Sequence, residues 1–132
     1  MDARLVSAFP VGDNWQYEPK WDGFRCLAFR DGSRINLQSK SGQPLGRYFP
    51  EIVDALAALK SSQFVLDAEL VVPQDRALSF DALLQRIHPA ASRIKLLSGK
   101  TPAMMVCFDL LVDDKGEALF EEPLRDRRAA LE

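Results

Sequence analysis

The chain has 132 residues, 47% hydrophobic and 27% charged, with a formal net charge of −2. That length supports one modest domain with its own core, and that balance excludes a disordered or fibrous chain. It also excludes binding to nucleic acid through net charge alone, although the acids gather late, in DDKGEALFEE, and leave room for a local basic face.

Residues 1–16 read as an irregular lead-in, with Pro10, Gly12 and Asp13 as breakers. Residues 24–30 and 34–39 alternate as two strands, and Asp31-Gly32 between them predicts a hairpin. A loop follows over 39–47. The spacing of Ile52, Ala55, Leu56 and Leu59 predicts a helix over 50–60. In the strand at 64–73, Phe64, Leu66, Ala68 and Leu70 face one way and Val65, Asp67, Glu69 and Val71 the other, with Pro73 as the stop. SFDALLQRI is a short helix with Ser79 as its N-cap. The continuous apolar run AMMVCFDLLV, 103–112, predicts a buried strand. DDKG turns the chain into a last helix, PLRDRRAALE, opened by Pro123. Helices and strands mix without βαβ alternation, so the fold class is α+β with a mainly antiparallel sheet.

Cys26 and Cys107 lie far apart in apolar surroundings without CxxC spacing, and read as reduced core thiols. Asp113 and Asp114 have turn chemistry and no partners at metal spacing, so no metal ligands are assigned. His88, before Pro89, reads as a surface or capping residue. Trp15 and Trp21 read as packing groups, Trp21 also as a flank to a pocket. No apolar run is long enough to cross a membrane, and MDARLVSAFP lacks the regions of a signal peptide. The expectation is a cytoplasmic protein with no membrane partner.

The chemistry concentrates in YEPKWDGFRCLAFRDG. Taken alone, a lysine beside Asp-Gly is a solvated charge at a turn. The longer pattern, Lys20-x-Asp22-Gly23-x-Arg25, sets an amine at the mouth of a strand with a cation nearby and a glycine where a ligand would need room. An amine is a nucleophile only when deprotonated, and a neighbouring cation or partial burial favours that form.

KWDGFR resembles the nucleotidyltransferase signature of the covalent ligase and capping-enzyme superfamily, and YEPKWDGFR is similar to bacterial ATP-dependent DNA ligases. The resemblance implies that Lys20 attacks the α-phosphate of ATP and holds AMP as a phosphoramidate. It implies that Glu18 faces the adenine amino group and that Arg25 binds the ribose. Further stretches follow in the family's order. SKSGQPL resembles the S-R-x-G segment, with Lys40 as a candidate phosphate or DNA contact; lysine there keeps the charge and loses the arginine fork. LDAELV resembles L-D-G-E-L-V, with Ala68 replacing glycine and Glu69 accepting from a ribose hydroxyl. VCFDLL resembles the segment whose aromatic, here Phe108, stacks on adenine. PLRDRRAALE is similar to P-L-x-x-R-R-x-x-L, where Arg127 and Arg128 read as structural or surface residues. Taken singly, Asp67 and Glu69 read as a solvated strand face and Phe108 as core.

The resemblance runs from about Leu5 to the end. The family's later E-G-x-x-x-K and K-x-K segments and its OB-fold domain are absent from these 132 residues. The expectation is therefore the N-terminal portion of an adenylation domain, residues 1–132. The implied cofactors are ATP and a divalent metal, magnesium or manganese. The implied partner of the parent enzyme is nicked double-stranded DNA. The isolated chain is expected to ligate weakly or not at all, and to self-associate through exposed core surface. RNA ligases and GTP-using capping enzymes share the lysine signature, and a non-catalytic nucleotide- or partner-binding module is the alternative from another class.

Overall fold

The computed structural model describes residues 5–132. Alternating stretches pair as a hairpin of β1 (Phe24–Asp31) and β2 (Arg34–Ser39). Asp31 pairs with Arg34, so the two-residue loop is Gly32-Ser33, one residue later than the Asp-Gly signal suggests. Gly32 supplies the left-handed backbone, with φ +60°. After one 3₁₀ turn at Gly46–Tyr48 comes α1 (Pro50–Ala57), with proline in its first turn. β3 (Gln63–Val71) leads into a minimal hairpin of β4 (Pro73–Gln74) and β5 (Ala77–Leu78). Then follow α2 (Phe80–Leu84), α3 (Ala91–Lys100), β6 (Met104–Val112) and α4 (Leu124–Leu131).

The main sheet has the order β2-β1-β3-β6, and every neighbouring pair is antiparallel. The period-2 pattern of β3 sets its two faces as expected. Phe64, Leu66, Ala68 and Leu70 are buried, while Val65, Asp67 and Glu69 are half-buried on the other side. The core gathers the first set with Cys26, Ala28, Leu37, Leu45 and Phe49, then Ile52 and Leu56 of α1 and Leu83 of α2. Val71 joins the buried set although the alternation places it outside.

Four details depart from the expectations. α1 stops at Ala57, and both Ala55 and Leu59 are exposed. The Arg30 guanidinium, at the far end of β1, donates to the carbonyls of Leu56, Ala57 and Leu59. It satisfies acceptors that a helix end leaves orphaned. β6 is not a fully buried strand: it sits at the sheet edge, and only Leu110 along it is buried. α3 has no counterpart among the predicted elements; its N-cap, Ala90, makes no side-chain cap bond. Pro123 occupies the N-cap position of α4 rather than its first turn. Ser79, by contrast, caps α2 as expected, accepting from the Ala82 N–H at 3.2 Å.

Cys26 and Cys107 are both free thiols. Each is the register partner of Ala68, from opposite sides. Two strand spacings separate them, about 9.6 Å, beyond disulfide reach. Burial pushes the Cys26 thiol up to about 12 and raises Cys107 as well.

Candidate active site

The site is built on the sheet face turned away from the core. Arg25 of β1 pairs across to Glu69 of β3, and Asp67 lies two residues along the same face. Arg25 grips Asp67 with Nε and Nη2, one to each carboxylate oxygen. The same guanidinium carbon lies 4.6 Å from the centroid of the Phe108 ring. Between Asp67 and Ala68 the β3–β6 register slips, so that Cys107 and Asp109 are paired and Phe108 is the extra residue. A bulge of this kind re-aims one side chain, and here it sets Phe108 against Arg25.

Gly23 lines the cleft where it approaches β3 closely. Its N–H donates to Glu69 Oε1 at 3.1 Å. A Cβ at position 23 would overlap the Leu70 carbonyl oxygen and press on Glu69 Cγ and Val71 Cγ1, each at 2.9 Å. The glycine is thus required by close approach to β3, not by an unusual φ. Burial raises the Glu69 carboxyl above its ordinary range; the Gly23 N–H and the charges of Arg25 and Lys20 oppose that rise. The hydrogen bonds that Arg25 donates to Asp67, with burial opposing, raise the Arg25 guanidinium.

Lys20 lies in the irregular segment before β1. Its side chain is 85% exposed, and Nζ is 3.9 Å from Asp22 Oδ1. An open cleft of about 720 Å³ is lined by Gly23, Arg25, Ser39, Lys40, Ser41 and Glu69. The size suits a nucleotide. The fold therefore brings Arg25, Glu69 and Lys40 to one cleft and sets Phe108 against Arg25. Glu18 comes in from another direction: its Oε2 accepts from Arg128 of α4 at 3.2 Å, and Arg128 also donates to the Phe108 carbonyl at 2.9 Å. Two residues of this arrangement, Asp67 and Arg128, carried no assigned role in the sequence. A partner 42 positions away and another 110 positions away leave no local signal.

Among the described residues, no three His, Cys, Asp or Glu side chains converge to hold a metal ion. Magnesium bound through a nucleotide's phosphates and water needs only one or two protein carboxylates. Asp113 holds its turn, accepting from the N–H groups of Lys115 and Glu117. His88 Nδ1 accepts from the Ala90 N–H at 3.1 Å, ahead of α3. Trp21 is half-buried, whereas Trp15 is 56% exposed and does not pack as expected.

The family model described as "ATP dependent DNA ligase domain" matches residues 6–132. The chain belongs to the ATP-dependent DNA ligase family. It is 55% identical over 122 residues to DNA ligase C1 of Mycolicibacterium smegmatis, covering 89% of this chain and 34% of that protein. It is 46% identical over 133 residues to DNA ligase C of Mycobacterium tuberculosis, covering 99% of this chain and 36% of that one. Among solved structures, the ligase domain of M. tuberculosis LigD matches with a TM-score of 0.69 at 32% identity, over 86% of this chain and 34% of that one. A mycobacterial DNA ligase D complexed with ATP matches with a TM-score of 0.65 at 30% identity. This ligase-family chain spans about a third of the length of these relatives. Its α+β fold matches about a third of that ligase domain. The relatives are named as DNA ligases. No helix among the described residues is long and apolar enough to cross a membrane.

Proposed function

We propose that this chain is the N-terminal portion of a DNA ligase adenylation domain, and that its parent enzyme seals nicks through a lysyl-AMP intermediate. Lys20 Nζ, after losing a proton, attacks the α-phosphorus of ATP. A P–N bond forms, the bond to the β-phosphate oxygen breaks, and pyrophosphate leaves. AMP then passes to the 5′-phosphate of nicked double-stranded DNA, and the 3′-hydroxyl displaces it. Phe108 stacks on the adenine, Glu18 accepts from its amino group, and Arg25 and Glu69 hold the ribose. Lys40 reaches the phosphates or the DNA. A divalent ion, magnesium or manganese, enters with the phosphates of ATP. The reading places the chain in the cytoplasm, beside its DNA.

The observation that carries this reading is the meeting of Arg25, Glu69 and Phe108, from three strands, at a cleft that Arg25 and Glu69 line, with the charge of Lys20 acting on Glu69. The test is the intact mass of the chain after incubation with ATP and magnesium, with Lys20→Ala beside it. One added AMP on the parent chain, absent from the variant, is expected. No adduct on a folded chain counts against Lys20 as a self-sufficient nucleophile, and an adduct that survives Lys20→Ala overturns the assignment. Competition by GTP separates this reading from the capping enzymes. Efficient sealing of nicked DNA by these 132 residues alone would contradict their being only part of the machinery. Leu5, Phe9, Val11 and Trp15 are exposed, and we expect the isolated chain to pair with a second copy through such surface. A strictly monomeric sedimentation profile across concentration would exclude that.

A further inference from the structure

Arg128 is engaged more widely than its place in a surface helix requires. Its side chain is 29% exposed, and Nη1 donates both to the Phe108 carbonyl, at 2.9 Å, and to Glu18 Oε2, at 3.2 Å. Its neighbour Arg127 holds Asp109 with two hydrogen bonds of 2.8 Å. Consecutive arginines of α4 thus grip consecutive residues of β6. Only one of the pair also reaches the segment before β1.

Residues 5–23 form neither helix nor strand. Among the described residues, two hydrogen bonds tie this stretch to distant parts of the chain: Gly23 N–H donates to Glu69, and Arg128 donates to Glu18. They bracket Lys20. The contact with Arg128 uses Oε2 of Glu18, and among the described residues no hydrogen bond is made to Oε1. A carboxylate is an acceptor only. Oε1 is therefore left to accept from a donor on a ligand stacked against Phe108. A half-exposed ion pair contributes little to stability, so the effect of this one lies in where it holds the carboxylate.

We propose that Arg128 is the positioning residue for base recognition: by tying Glu18 to the backbone of the Phe108 strand, it sets the carboxylate at the 6-amino edge of a purine. This rests on the nucleotide reading above and adds to it the residue that makes the base preference. Without Arg128, the segment keeps only its tie at Gly23, five residues beyond Glu18, and the Glu18 acceptor no longer has a fixed direction.

The test compares equilibrium binding of ATP with that of purine riboside triphosphate, which lacks the 6-amino group, on the parent chain and on Arg128→Gln, Arg128→Met, Glu18→Gln, Glu18→Gln/Arg128→Gln and Arg127→Gln. The parent is expected to prefer ATP about tenfold, the scale of one hydrogen bond to a charged group. Either Arg128 variant is expected to reduce that preference to about twofold. The double variant should lose no more preference than Glu18→Gln alone, because both act through one interaction. Arg127→Gln should lower the melting temperature and keep the preference, which separates positioning from general support of α4. A folded Arg128 variant with the parent's preference overturns the proposal and leaves the nucleotide reading standing. Unfolding of both Arg128 variants also overturns it, by making the residue structural. A folded parent chain with no affinity for either nucleotide overturns the nucleotide reading, and this proposal with it.

Discussion

Arg86 and Arg25 each grip a carboxylate with two hydrogen bonds, and each lies against a phenylalanine ring. Arg86 holds Glu51 at 2.6 and 2.8 Å and sits 5.0 Å from the Phe49 centroid. Arg25 holds Asp67 and sits 4.6 Å from the Phe108 centroid. The settings differ. The Arg86 side chain is wholly buried, and it also donates to the Tyr48 and Thr101 carbonyls. Glu51 in turn accepts from the Ala103 N–H. That cluster joins α1, the end of α2, the end of α3 and the start of β6. The Arg25 side chain is 50% exposed beside an open cleft. One chemical motif thus serves as scaffold where water is excluded and as cleft lining where it is not. Burial, not the pairing itself, separates the two roles.

The largest expected effect lies on the scaffold side. Arg86→Ala should cost about 3–5 kcal/mol of stability, because it strips a largely buried carboxylate of its partner; urea unfolding measures it. A loss under about 1 kcal/mol would erase the distinction between the two arginines. Gly23→Ala comes next, at about 1–3 kcal/mol, through overlap with the Leu70 carbonyl and displacement of Glu69. It should weaken ATP binding as well, since it moves a cleft residue, and the same unfolding series with a nucleotide titration reads both. Arg25→Ala should cost less than Arg86→Ala, because the guanidinium it removes is already half in solvent, although it leaves the largely buried Asp67 without that partner. It should nevertheless weaken ATP binding severalfold. A stability loss as large as that of Arg86→Ala would show that Arg25 belongs to the scaffold.

The smallest effect is a pH dependence. The Glu69 carboxyl is raised above the ordinary 4.5, chiefly by burial. Its protonated form is thus favoured on folding, and the charged form costs stability as pH rises from 4.5 through the raised folded value. Glu69→Gln removes that cost and can still accept from Gly23. The variant should therefore gain stability relative to the parent across that window, keep the gain above it, and bind ATP less well. Melting curves from pH 3.5 to 7 check the sign. A gain that appears only below the window would contradict burial as the cause.

The local parts of this fold were legible in the chain because their causes are local. Alternation in β3 places Asp67 and Glu69 opposite the core, since side chains two apart share a face. Ser79 marks the start of α2 because a hydroxyl can accept from the first-turn N–H. Other features needed the folded chain. α3 carries no cap signal and a weakly apolar sequence. The end of α1 is set by Arg30, which lies 26 positions or more from the carbonyls it satisfies. Arg86 has no local signal, since the partners that bury it, Tyr48, Glu51 and Thr101, lie 15 to 38 positions away.

By itself, the sequence determined the strand hairpin, the two faces of β3, the short capped helix and the lysine signature that identifies the family. Periodicity, turn chemistry and a run of neighbouring residues carry all of these. Tertiary structure alone decided which charges meet. It set Arg25 on Asp67 and Phe108, buried Arg86 on Glu51, and drew Arg128 back to Glu18. Such pairs depend on sheet register and helix docking. A single slip of register turns a strand's side chains to the other face, so no property of the isolated residues could fix their partners.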